Sequence, residues 1–96
     1  MLTQQHIISL SNTLHLMGEA NRLKLLLACL DGPKSGSTLS EALQLSLPLT
    51  SHHLSLLRKA RLLFAEREGK HIYYRIFDKH VRCILDDMVK HFEEEN

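Results

Sequence analysis

Apolar positions in the first third of the chain recur at helical intervals. Ile7, Leu10, Leu14 and Met17 stand three or four apart, so residues 3–17 are predicted to form an amphipathic helix whose apolar stripe needs a partner. Gly18 interrupts that pattern. Residues 20–30, ANRLKLLLACL, are apolar enough to predict a buried second helix, stopped by Asp31, Gly32 and Pro33. Residues 34–37 read as a polar loop, and residues 38–44, TLSEALQ, as a short helix capped by Ser37 or Thr38 with Glu41 one turn in. Ser46 can cap the next helix and Pro48 is tolerated in its first turn. The run through Ala60 turns Leu54 and Leu57 inward, with Thr50 a further candidate for that inward face. Residues 45–47 then form the short joint of a helix-turn-helix, whose second helix is the one that enters a DNA major groove.

The period changes after Ala60. Leu62, Leu63 and Phe64 lead through Glu66-Arg67-Glu68-Gly69-Lys70 into HIYYRIF, where β-branched and aromatic residues predict a β-hairpin with Gly69 in its turn. Asp78 caps a last helix on which Val81, Ile84, Leu85, Met88 and Phe92 form an apolar stripe. The expected fold is therefore mainly α with a β-hairpin, a winged helix-turn-helix in the order α-α-α-α-β-β-α. Residues 1–96 form one domain with dimerisation helices at both ends. At 96 residues one core lies near the lower size limit for independent stability, and homodimerisation would add buried area.

Composition changes this picture little: 44% apolar and 24% charged residues describe a folded globular chain rather than a disordered one. No apolar run approaches the ~20 residues of a membrane span, and MLTQQHIISL lacks the basic-then-apolar plan of a secretory signal, so a cytoplasmic protein without membrane partners is expected. Cys29 and Cys83 are then expected as reduced thiols in apolar surroundings. Charge distribution says more than the net +1. Residues 50–76 carry six cations against Glu66 and Glu68, whereas residues 77–96 carry six acids against three cations. The first segment suits a polyanion, the second a cation.

Candidate chemistry follows the same division. On the expected recognition helix Pro48, Thr50, Ser51, His52, His53 and Arg58, with Lys59 beside them, suit base edges and phosphates, while Arg67 and Lys70 at the hairpin tip suit phosphates despite Glu66 and Glu68. The last helix carries Asp78-x-His80, then ten residues, then His91-x-x-Glu94. Two carboxylates and two imidazoles suit tetrahedral Zn(II) and also Co(II). His80 and His91 lie roughly 16 Å apart along a helix at ~1.5 Å per residue, too far for one ion, yet about three full turns apart, so they point the same way. Two such helices packed antiparallel would bring Asp78 and His80 of one chain to His91 and Glu94 of the other, twice over by symmetry. The plainer alternative is a helix cap, two surface histidines and a solvated acidic end. No Gly-rich phosphate loop, paired buried acids or nucleophile elbow can be placed, and Ser51 and His52 face different ways as helix neighbours, so no enzyme is expected.

Ala20-Asn21-Arg22-Leu23, Ser51-His52-His53-Leu54 and Gly69-Lys70-His71-Ile72-Tyr73-Tyr74 together resemble the ArsR/SmtB family of bacterial winged-helix metal-sensing repressors over about residues 10–95. Asp78, His80, His91 and Glu94 match the zinc site that part of this family builds between its last helices. The resemblance implies a homodimer that binds double-stranded operator DNA and releases it when zinc rises. It also implies that His91 signals through a main-chain carbonyl near Arg61. Two features depart from the family. STLSEAL lacks the cysteine pair of its arsenic and lead sensors, and Leu47-Pro48-Leu49 replaces polar residues at the start of the recognition helix, where apolar contacts to thymine methyls become available. Cys29 and Cys83 roughly mimic the family's sulfur sensors, which leaves a thiol or persulfide sensor as an alternative. A protein-interaction module without specific DNA is an alternative of another class.

Overall fold

The computed structural model describes residues 1–94. Helix α1 (Gln4–Met17) begins at Thr3, whose Oγ1 accepts from the His6 N–H while the Thr3 N–H donates to His6 Nδ1, both at 3.1 Å. Two otherwise orphaned donors are thus satisfied reciprocally. Only Met17 of this helix is buried, and Ile7, Ile8, Leu10 and Leu14 stay exposed. Glu19 caps α2 (Ala20–Ala28) by accepting from the Arg22 N–H at 2.9 Å, and this bond, with that from Asn21, holds its carboxyl below the usual range. The helix closes at Cys29, earlier than the apolar run predicts.

Residues 34–37 are not a plain loop. Lys34–Ser35 forms β1, pairing with Tyr74 and Tyr73, and the Lys34 ammonium is tied to the Asp31 carboxylate and to the Ala28 carbonyl at 3.1 Å. Ser35, rather than Ser37 or Thr38, caps α3 (Gly36–Leu43): its Oγ accepts from the Thr38 N–H at 3.1 Å. Gln44 closes α3 in the left-handed region at φ 56°, so the joint to α4 (Leu47–Lys59) spans residues 44–46, one earlier than predicted. Ser46 caps α4 through the Leu49 N–H at 3.2 Å, as its position implies.

Strands β2 (Leu63–Glu68) and β3 (His71–Ile76) pair antiparallel from Leu63↔Ile76 to Glu68↔His71 around a two-residue turn. Gly69 there has φ 64° while Lys70 stays negative, the φ signs of a II′ turn that favour glycine first. β3 is central in the order β1-β3-β2, so the wing is stitched to the helix-turn-helix by β1. Leu25, Leu26, Cys29, Leu57 and Leu63 lose all exposure, with Leu39 and Leu54 beside them in the core that α2, α3, α4 and the sheet enclose.

Helix α5 (Lys79–Glu94) starts where the Val81 N–H meets Asp78 Oδ1 at 3.0 Å, and Arg82 ties it to the end of α2 by donating to the Leu30 carbonyl at 2.6 Å. Of α5 only Leu85 is buried. The radius of gyration, 14.0 Å, exceeds the roughly 12.5 Å of a compact chain of this length. α1 and α5 are amphipathic helices whose apolar faces one chain does not close. No helix among the described residues is long and apolar enough to cross a membrane.

Candidate nucleic-acid interface and metal-ligand groups

Helix α4 sorts the predicted contact residues by face. Pro48, Ser51, His52, Arg58 and Lys59 are exposed, on the side away from the core. Thr50 is not a surface contact: it is fully buried and its Oγ1 donates to the Ser46 carbonyl at 2.9 Å. His53 is also turned inward, 8% exposed, with Nδ1 3.4 Å from Arg22 Nη1. Both corrections have one cause, since positions 50, 53, 54 and 57 share the stripe that Leu54 and Leu57 define. Sequence reasoning gave Arg22 no structural role. Its Nε donates to the Leu16 carbonyl at 2.8 Å, so one guanidinium joins the end of α1 to the recognition helix. Helix α2 carries two cations, Arg22 and Lys24, of which Lys24 is exposed and Arg22 half-buried, so charge alone does not mark Arg22 out.

At the wing, Arg67 and Lys70 are exposed, and Arg67 Nε donates to the Gly69 carbonyl at 3.3 Å, bracing the tip. Arg75 lies over the Phe64 ring at 4.3 Å and Arg61 over Phe77 at 5.1 Å, so these two cations cover apolar surface as they contribute positive potential. Arg61 adopts φ 61°, turning the chain from α4 into β2. A cleft of about 220 Å³ separates the wing from the helix-turn-helix, with Leu47, Ile72, Lys70, His71 and Ser37 among its walls.

The metal-type donors occupy the two ends of α5. Asp78, His80, His91 and Glu94 are all exposed. Among the described residues no three His, Cys, Asp or Glu side chains of one chain gather closely enough to hold an ion. Each end instead presents a carboxylate and an imidazole. Asp78 spends Oδ1 on its cap, which leaves Oδ2 for a ligand, and the His91 ring packs edge-on against Phe92 with centroids 5.1 Å apart. The donor set fits a borderline divalent ion, provided a second pair comes from elsewhere. Between the two ends Ile84, Met88 and Phe92 remain about half exposed, bordering an apolar groove of about 700 Å³ shared with Leu14 and Leu23.

The cysteines differ. Cys29 is buried, and loss of solvent pushes its thiol up to about 11 against a smaller opposing pull from Lys34. Cys83, expected in apolar surroundings, is exposed. It lies roughly 200° around the helix from the buried Leu85 at about 100° per residue, hence on the opposite face.

Comparison with known proteins places this architecture. A family profile described as "Bacterial regulatory protein, arsR family" matches residues 19–63, from the cap of α2 to the first residue of β2. The HTH-type transcriptional regulator NmtR of Mycobacterium tuberculosis is 32% identical over 92 residues, covering 96% of this chain and 77% of that protein. The solution structure of apo-NmtR matches with a TM-score of 0.80 at 31% identity over 98% of this chain and 79% of that one. The HTH-type transcriptional repressor SmtB of the same organism is 32% identical over 74 residues, 77% of this chain but 55% of that protein. The crystal structure of the antimony-specific transcriptional repressor AntR matches with a TM-score of 0.83 at 27% identity, covering 99% of this chain and 86% of that one.

Proposed function

Because the chain belongs to the arsR family of bacterial regulatory proteins, we propose that it is a homodimeric metal-responsive repressor, which binds operator DNA and is released from it by Zn(II), with Co(II) as a second ion the ligands accept. One observation carries the metal reading: a carboxylate and an imidazole stand exposed at each end of α5, separated by a half-exposed apolar stripe. Pairing through that stripe gives each ion Asp78 and His80 from one protomer and His91 and Glu94 from its partner, two equivalent sites in all. The bound ion would supply a fixed positive centre that holds these four side chains together. Single-domain architecture with dimerising helices at both ends belongs to the same proposal.

DNA is contacted by the outer face of α4, through Pro48, Ser51, His52 and Arg58, and by Arg67 and Lys70 of the wing. A ligand changes affinity only if it fits one arrangement of the dimer better than the other. His91 is suited to report occupancy, because a coordinated imidazole has a second ring nitrogen that seeks an acceptor. Family resemblance supplies that acceptor as a main-chain carbonyl near Arg61, the residue whose left-handed backbone follows the recognition helix. A coupling of about 3 kcal/mol would lower operator affinity more than a hundredfold.

The buried, high-pKa Cys29 opposes a thiol sensor that needs both cysteines as thiolates. Zinc titration into the metal-free dimer on a fluorescent duplex from its own upstream region, with thiols kept reduced, tests the proposal. Anisotropy falls near one zinc per chain, and His91→Ala abolishes the fall. DNA that stays bound at saturating zinc overturns the sensor reading.

A further inference from the structure

The first turn of the recognition helix exposes two leucines with no core to enter. Leu47 is 52% exposed and Leu49 40%, although α4 fills its inward stripe with Thr50, His53, Leu54 and Leu57. They are therefore surplus to the core. N-terminal residues of a recognition helix are the ones that meet base edges, and this turn carries no cation: Arg58 and Lys59 lie at the far end of the helix. Leu47 also borders the cleft that faces Ile72, itself 43% exposed, with Lys70, His71 and Ser37 around it. Apolar side chains and polar or cationic ones thus line the same cleft.

We propose that Leu47 and Leu49 read thymine methyl groups in the operator half-site, with phosphates held by cations such as the exposed Lys70. The inference rests on the DNA-binding reading above and adds a base preference to it. The chemistry selects the occupant. The thymine C5-methyl is the one alkyl group that the major groove displays, and apart from the small cytosine C5–H the exposed base-edge groups there are hydrogen-bond donors or acceptors. An aliphatic side chain pressed on such an edge strips its water without replacing the bond, a net cost. A half-site with thymine under this turn avoids the cost and buries both surfaces. Ser51 and His52, one turn later on the outer face, take the adjacent hydrogen-bonding positions.

Uracil differs from thymine only by that methyl, so the test is a substitution in the DNA. Two duplexes of the protein's own upstream region, one with thymine and one with deoxyuridine throughout, are titrated with the full-length dimer at several salt concentrations. Wild type prefers the thymine duplex by about fourfold for each methyl it covers, the equivalent of one buried carbon group. In the Leu47→Ser/Leu49→Ser variant the ratio of the two affinities falls towards one. The ratio is the readout, so a general weakening does not disguise the result, and circular dichroism checks that the variant folds. Equal, salt-dependent affinity of wild type for both duplexes overturns the inference while leaving DNA binding intact. So does a preference that survives in the variant. Absence of salt-dependent binding to either duplex overturns the DNA-binding reading itself, and this inference with it.

Discussion

Arg22 shows how much can hang on one side chain. Its Nε satisfies the Leu16 carbonyl at the end of α1 and its Nη1 approaches His53 on α4, so deletion leaves a part-buried acceptor unpaired and removes a polar tie between α1 and the recognition helix. Arg22→Ala should cost about 1–3 kcal/mol in urea unfolding, with Arg22→Lys recovering only part because an ammonium lacks the planar fork. Cys29 gives a second expectation. Its folded pKa, about 11, lies above the reference 9.0, so the unfolded chain loses its proton first. Stability is therefore intact below pH 9 and falls as pH climbs towards 11. Compared with wild type, Cys29→Ala should show a shallower decline over that window, whatever it costs at neutral pH; equal slopes would assign the decline to other groups. Residue-level legibility was uneven. The apolar period placed Leu54 and Leu57 inward, but Thr50 and His53 have polar chemistry at core positions. Only the helix axis observed in three dimensions decides between a base contact and a satisfied interior group.

Helices and the hairpin were legible because each repeats its period several times. Ser46, Gly69 and Asp78 act where their chemistry predicts, as cap, turn and cap. What escaped was short or non-local. β1 has two residues, too few to show alternation, and exists because β3 offers Tyr73 and Tyr74 as partners. Its presence shifts the cap of α3 back to Ser35. The wing and α4 then act as a pair, and their charges should be measurable as a pair. Lys70 is exposed in the turn, beyond the last paired residues Glu68 and His71, whereas Arg67 donates to the Gly69 carbonyl. Lys70→Ala should thus reduce the slope of log affinity against log salt by about 0.9 for each phosphate that the ammonium neutralises. An unchanged slope would show that the wing tip lies off the DNA.

At the scale of the whole molecule, the open surfaces and the metal donors pose a single question. Leu10 and Leu14 on α1 and Ile84, Met88 and Phe92 on α5 are about half exposed, and the chain is more extended than its length requires. Contiguous apolar surface of this kind is costly unless another subunit covers it. The spacing of His80 and His91 was readable from helix geometry alone. Which surfaces the partner covers was not, because a single sequence describes one chain and symmetry adds the second. Both ideas meet in one variant. Ile84→Glu puts a charge into the stripe while keeping Asp78, His80, His91 and Glu94. If each ion draws two ligands from each protomer, sedimentation should show a monomer, and competition with a chromophoric chelator should show zinc affinity lowered well beyond tenfold, since only two of the four protein ligands would remain to each ion. A monomer that still binds zinc as wild type does would mean that the ligands are gathered within one chain, and the inter-subunit site would have to be abandoned. A variant that stays dimeric and binds zinc normally would instead move the interface away from Ile84, leaving α1 to carry it.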